Sequence, residues 1–209
     1  MKVTIDEAVR KAVPELKLFF QAAQLQDISR NLESLDPQFL TSVKLNKSEV
    51  AEYRVFREKV AGDDSLAVER LRSYDNSHDL PSPDPLTSLV IQASYSTNLP
   101  VTVFAVDEFD SVSIRFATEG DVLKTKSGDV QIKPHSLIAD TDKGVLGILG
   151  IKSSSLGKIN QNTKEVAILS FGCSQATNKK SKKLVEQVVQ ELQARYYIKQ
   201  YKSESGGTK

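Results

Sequence analysis

"ADTDKGVLGILGIKSSSLGKINQNTKEVAILS", residues 139–170, decides how the chain is read. An apolar run over 144–150 follows the turn Lys143-Gly144, and a second run over 165–171 closes the stretch. Short apolar runs bounded by turn residues are strands, and an unbroken run marks one covered on both faces. Between them lies Lys152-Ser153-Ser154-Ser155. A plain hairpin needs only a short turn of Gly, Asn or Asp. A longer loop that carries a lysine and hydroxyls reads in two ways. It is the floor and lip of a ligand site, or it is a solvated hairpin tip.

Upstream, the pattern predicts strands over 101–107, 112–117, 121–125, 129–133 and 136–139, with turns at Glu119-Gly120 and Ser127-Gly128. A helix is expected over 86–95. The front of the chain reads as a helix over 4–13, capped by Thr4 or Asp6 and ended by Pro14, then a buried strand over 16–23. Residues 26–46 carry no clear period and break at Asp36-Pro37. A helix over 48–61 follows, with a stripe of Val50, Tyr53, Val55, Phe56 and Val60 and a stop at Gly62. A second helix is expected over 65–73, then a proline-bearing loop over 74–85. Downstream, a helix over 182–201 shows Leu184, Val185, Val188, Val189, Leu192 and Tyr196 on one face. Residues 203–209 read as a flexible polar tail. Helices, then a β block, then a helix make this α+β, a mixed, largely antiparallel β core flanked by helices. One domain over 1–202 is expected.

Several function classes are excluded by composition. Apolar residues make up 39% and charged residues 26% of 209, ordinary for a globular protein. No apolar run reaches the roughly 18–20 residues that span a bilayer, and acids stand where a signal peptide would have its apolar core. A cytoplasmic protein without membrane contact is expected. Cys173 is alone, and His78 and His135 follow no ligand spacing, so neither a disulfide nor a structural metal is expected. Net charge is +1, but residues 175–209 hold eight Lys or Arg against three Glu, a net +5 that leaves −4 for residues 1–174. That basic end is a phosphate-contacting face or simply a solvated helix.

Nucleotide-binding, zincin and paired-cysteine motifs are absent, and Ser170-Phe171-Gly172-Cys173-Ser174 lacks the glycine spacing of a nucleophile elbow. Cys173 reads as a small core residue and His135 as a surface turn residue. Asp107, Glu108 and Asp110 read as a solvated turn rather than a cation site. Two hydroxyl-rich segments remain: Ser94-Tyr95-Ser96-Thr97-Asn98 with Thr102 beyond it, and Lys152 to Ser155. Such segments can hold an amino acid or a sugar edge by hydrogen bonds, and ordinary loops have the same composition.

The β block resembles the editing domain of the bacterial phenylalanyl-tRNA synthetase beta subunit. "LPVTVFAVDEFD" (99–110) is similar to that family's Gln-Pro-Leu-His-Ala-Phe-Asp strand, and "VSIRFATEGDVL" (112–123) to its arginine-bearing strand and Gly-acid step. "KSGDVQIKPHSLIADTDKG" (126–144) parallels its hairpin. "LGILGIKSSSLGKINQNTKEVAILS" (146–170) parallels its Gly-Gly-Glu stretch, in register from Gly147 through Thr163. The likeness covers about residues 3–172, with 99–172 the most similar; the front resembles free-standing proteins built from this domain.

The resemblance implies hydrolysis of a mischarged aminoacyl-tRNA ester in trans, a second sieve after the synthetase site. The alternative is a non-catalytic protein that uses the same pocket for a small ligand or a tRNA end. Neither needs a cofactor or metal, and DNA is not an expected partner. Position by position, the family's histidine falls at Thr102, its Gly-Gly at Ser153-Ser154 and its tyrosine-reading glutamate at Ser155. Gly147 and Gly150 match small positions of the pocket wall. The candidate pocket is therefore Ser94, Asn98, Thr102, Gly147, Gly150, Ser153, Ser154 and Ser155. The candidate tRNA contacts are Lys152, Lys179, Lys180, Lys182 and Lys183. A site without the glutamate cannot pair a phenol hydroxyl, so tyrosine is not the expected amino acid.

Overall fold

The computed structural model describes residues 1–25, 36–61, 69, 85–150 and 152–195. The expected stop at Gly62, the predicted helix over 65–73 (Glu69 excepted), all but Pro85 of the loop over 74–85, the chain beyond 195 and residues 26–35 of the unread stretch 26–46 lie outside the described residues.

The chain opens with β1 (Lys2–Ile5), α1 (Glu7–Ala12) and β2 (Lys17–Gln24). The expected first helix is therefore shorter, because Thr4 and Ile5 are strand. Val3, Thr4 and Ile5 are β-branched, which suits a pleated surface, and a distant strand supplies the partner. Asp6 is the cap, accepting from the Ala8 N–H at 2.7 Å. The Asp36-Pro37 break is a helix start: Asp36 caps α2 (Pro37–Val43), accepting from the Gln38 N–H at 2.8 Å. In α3 (Lys47–Ala61), Tyr53, Phe56 and Val60 are buried, but Val55 is 69% exposed. Val55 is off the i, i+3, i+7 row that Tyr53, Phe56 and Val60 define. α4 (Pro85–Thr97) follows.

Next come β3 (Val101–Ala105), β4 (Ser111–Phe116), β5 (Val122–Thr125), β6 (Gly128–Gln131), β7 (Leu137–Thr141), β8 (Gly144–Ile148), β9 (Lys152–Ser153) and β10 (Glu165–Gly172). They form a five-stranded sheet β1-β4-β7-β8-β9, a three-stranded sheet β2-β10-β3 and the β5-β6 hairpin. Every pairing is antiparallel except β1 with β4. The fold is α+β, with a mixed, largely antiparallel β core and flanking helices.

β10 is the centre of the three-stranded sheet and is buried from Val166 to Gly172. Side chains alternate across a strand, and the register places Phe104 opposite Ala167 and Thr102 opposite Leu169. One face of this sheet therefore carries Phe104, Thr102, Ala167, Leu169 and Phe171. The rings of Tyr53 and Phe56 pack there on Phe171, centroids 5.8 and 6.0 Å away. The opposite face carries Ile168, Ser170 and Gly172, and α5 (Gln175–Arg195) packs on it.

α5 begins seven residues before the expected start at 182. Its first turns are polar, yet Thr177 and Ser181 are fully buried. Thr177 Oγ1 accepts from the N–H groups of Cys173 and Ser174, each at 2.9 Å, and Ser181 Oγ donates to the Phe171 carbonyl at 2.9 Å. Hydrogen bonds rather than apolar side chains seat this end.

In the five-stranded sheet, Leu137, Ala139 and Leu146 join the main core. Ile138 and Val145 point the other way and bury Leu123 and Ile132 beneath the β5-β6 hairpin.

Candidate functional site

The first hydroxyl-rich segment is structural. Ser94 is 4% exposed; its Oγ accepts from the Val101 N–H at 2.9 Å and donates to the Val101 carbonyl at 3.2 Å, which fastens α4 to the start of β3. That leaves it no open face for a ligand. Thr97 Oγ1 donates to the Ala93 carbonyl at 2.7 Å and accepts from the Leu99 N–H at 3.2 Å. Asn98, at φ 63°, ends α4 in the left-handed conformation, its N–H donating to the Ser94 carbonyl at 3.1 Å. Ser94 and Asn98 are a helix end, not a pocket lip.

The second segment is strand before it is loop. Ser153 pairs with Gly147 and Lys152 with Ile148, so the reversal lies upstream at Leu149 and Gly150. Ser154 is buried, its N–H donating to the Leu146 carbonyl at 2.8 Å and its Oγ accepting from the Leu156 N–H at 3.1 Å. Ser155 sends both its N–H, at 2.8 Å, and its Oγ, at 3.2 Å, to the Lys124 carbonyl. Of the three serines, Ser153 alone is exposed with a hydroxyl that makes no hydrogen bond among the described residues.

This hairpin lies over the Thr102 face. A Cβ at Gly147 would stand 3.0 Å from the Lys152 carbonyl oxygen and 3.4 Å from the Phe104 ring. Gly150, at φ 67°, faces Pro100 and Phe171, and a Cβ there would stand 3.3 and 3.2 Å from them. Pro100, Thr102 and Phe104 alternate onto one side, so Thr102 lies between the two points where the hairpin touches β3. Thr102, Gly147, Gly150 and Ser153 are thus brought together; Ser94 and Asn98 are not. The Phe104 ring, 3% exposed, packs against Gly147 and Gly157 and fills the floor between them. Tyr95, by contrast, is 42% exposed.

The charged residues nearby are mostly engaged. Arg115 makes a forked pair with Asp121, at 2.7 and 2.8 Å, and reaches Asp140 at 2.7 Å. The guanidinium holds the Asp121 carboxyl well below the usual carboxylate range, helped by the Thr118 N–H and hydroxyl. Asp107 accepts from the N–H groups of Lys164 and Glu165, and Glu108 pairs with Lys143 at 2.9 Å. These acids are turn residues. Among the described residues no group of three or more His, Cys, Asp or Glu is placed to hold a metal ion. His135 is exposed in a turn at φ 67°, and His78 lies outside the described residues. Burial pushes the Cys173 thiol up to about 11, so it is protonated at neutral pH and a poor nucleophile.

The lysines of α5 divide. Lys180 pairs with Glu49 at 2.5 Å and donates to the Lys44 carbonyl at 2.9 Å, tying α5 to the start of α3. Lys182 stands 3.8 Å from Glu186. Lys179 and Lys183 are exposed and make no ion pair among the described residues. All belong to the helix on the Gly172 face, one sheet away from Thr102. Lys152 is on the hairpin itself and is exposed. Sequence reasoning weighed Phe104 as a plug of the pocket but missed Lys124 as the neighbour of Ser155, which no local signal could have found, since 31 residues separate the partners.

No family model matches the chain, and no curated protein matches it. Among solved structures it is similar to an N-terminal fragment of the phenylalanyl-tRNA synthetase beta subunit from Pyrococcus horikoshii. That likeness has a TM-score of 0.49 and 13% identity, covering 95% of this chain and 49% of that one. The chain therefore spans about half the length of that fragment. Among the described residues, no helix is long and apolar enough to cross a membrane.

Proposed function

We propose that the chain acts on the acylated 3′ end of tRNA and hydrolyses the ester of a mischarged aminoacyl-tRNA in trans. What supports the reading is the meeting of Thr102, Gly147, Gly150 and Ser153 under one hairpin. The sequence resemblance assigns all four to an editing pocket. The ester of a tRNA is already activated, so a held water can attack its carbonyl without a protein nucleophile. The Thr102 and Ser153 hydroxyls orient the water and the terminal ribose. Among the described residues no histidine or carboxylate is placed with them to remove a proton, so this reading draws its rate enhancement from orientation. With Ser155 in place of the resembled family's glutamate, and its hydroxyl donating to the Lys124 carbonyl, this position does not read a phenol.

A second reading, binding without turnover, is favoured by Thr102 and Ser155 standing where the resembled family has its histidine and glutamate; the Phe104 ring packed against Gly147 and Gly157 counts against both readings. The experiment is a panel of correct and mischarged aminoacyl-tRNAs, following release of the amino acid. Selective deacylation is expected, lowered about tenfold or more by Thr102→Val, the effect of about 1.4 kcal/mol at the barrier. Binding without release would establish the second reading, and neither binding nor release would overturn both.

A further inference from the structure

We infer that Arg57 is a positioning residue of the candidate site: from α3 it holds the reversal between β8 and β9 down on the three-stranded sheet and so sets where the Ser153 hydroxyl stands relative to Thr102. The inference rests on the deacylase reading above and adds the residue that fixes the geometry of its site.

Arginine is rarely fully buried, yet Arg57 is 2% exposed. It lies one helical turn after Tyr53 in α3, the helix whose rings pack on Phe171. Its Nη1 donates to the Leu149 carbonyl at 2.8 Å, between residues 92 apart in the chain. A charged donor makes such a bond roughly twice as strong as a neutral pair. The Leu149 N–H is also engaged, donating to the Leu137 carbonyl of β7 at 2.9 Å. The reversal is thus held from two sides, by its own sheet and by α3. Gly150 follows at φ 67°, and a Cβ there would stand 3.5 Å from Arg57 Nη1, 3.2 Å from Phe171 and 3.3 Å from Pro100. The guanidinium therefore sits where the reversal meets the Thr102 face. Residues directly opposite in an antiparallel pair share a face. Ser153 is opposite Gly147, whose Cβ direction points to Phe104, so Ser153 is on the side of β3 that carries Thr102. β9 is only two residues long and holds little register of its own. Without the Arg57 donor the buried Leu149 carbonyl loses that partner and the reversal is free to lift. A displacement of about an ångström at Ser153 is enough to spoil the alignment of a held water.

The test takes two readings on the full chain: hydrogen exchange by mass spectrometry over residues 147–155, and kcat and KM on the mischarged aminoacyl-tRNA that the panel identifies. Arg57→Met fills the stem's volume without burying a charge, and Arg57→Lys keeps a charged donor. Arg57→Met is expected to speed exchange of the Ser154 and Ser155 N–H groups while β10 stays protected. It is also expected to lower kcat about tenfold or more at unchanged KM. Arg57→Lys is expected to restore part of both. Lys59→Ala removes a different α3 contact, from Lys59 Nζ to the Ala12 carbonyl at 2.8 Å, and is expected to change neither reading. Circular dichroism checks the fold, and Arg57→Gln takes the place of Arg57→Met should that variant not fold. Unchanged exchange over 147–155, exchange that rises equally over β10, or a kcat that ignores a loosened hairpin overturns this inference and leaves the deacylase reading standing. If the wild-type chain releases no amino acid from any tRNA, the deacylase reading falls, and the exchange alone decides whether Arg57 seats the hairpin.

Discussion

Gly172 is a residue whose necessity is steric. A Cβ there would lie 2.5 Å from the Asn178 backbone nitrogen and 2.6 Å from its side-chain oxygen. The nitrogen belongs to the backbone of α5 and cannot swing aside as a flexible side chain could. Gly172→Ala is therefore expected to push α5 off β10 and to cost roughly 1–3 kcal/mol, the range for overpacking, read as a lower urea midpoint. An unchanged midpoint would mean that the helix relaxes freely. At this scale the sequence names hydroxyls but not their partners. Ser94, Ser154 and Ser155 all read as candidate ligand-binding groups, and each is spent on a backbone atom of its own chain. Ser153, of the same type and in the same run, is left open by the register of β9.

The strands of the β block lie where alternation and turn glycines put them, within a residue or two. Among the described residues, α2, β9, β1 and the start of α5 escaped. β1 is four residues long and needs β4, far along the chain, to be a strand at all. The start of α5 reads as loop because Gln175 to Ser181 has no apolar stripe; its buried side is Thr177, Asn178 and Ser181. Thr177 both accepts from two N–H groups ahead of the helix and, through its own N–H, donates to Ser174 Oγ at 3.3 Å. Thr177→Val keeps the shape and removes the acceptor. A loss of roughly 1–2 kcal/mol is expected, as for deletion of a helix cap, and thermal unfolding would show it. A neutral result would place the helix start under the control of apolar packing further along.

On the scale of the whole molecule, Arg115 links three parts: its own β4, Asp140 of β7 and Asp121 just before β5. The Asp121 carboxyl titrates below its unfolded value of about 3.9, so it stabilises the fold fully above that pH. The contribution fades as pH falls through the folded value. Asp121→Asn should therefore be less stable than the wild type at pH 7, by roughly 1–3 kcal/mol for a charged hydrogen-bonded group. The gap should close as urea titrations move from pH 5 towards pH 2. A gap that is constant with pH would assign the loss to packing instead.

The sequence by itself determined the class of fold, the order of most elements and the absence of familiar catalytic motifs. Those follow from hydrophobic period, turn residues and composition, which act over a few neighbouring positions. Only the tertiary structure decided which polar groups remain available. The pairing of β9 with β8, the docking of Ser155 on Lys124 and the sheet standing between α5 and Thr102 each depend on contacts between residues far apart in the chain. A hydroxyl's freedom to meet a ligand is what remains after those long-range hydrogen bonds have formed.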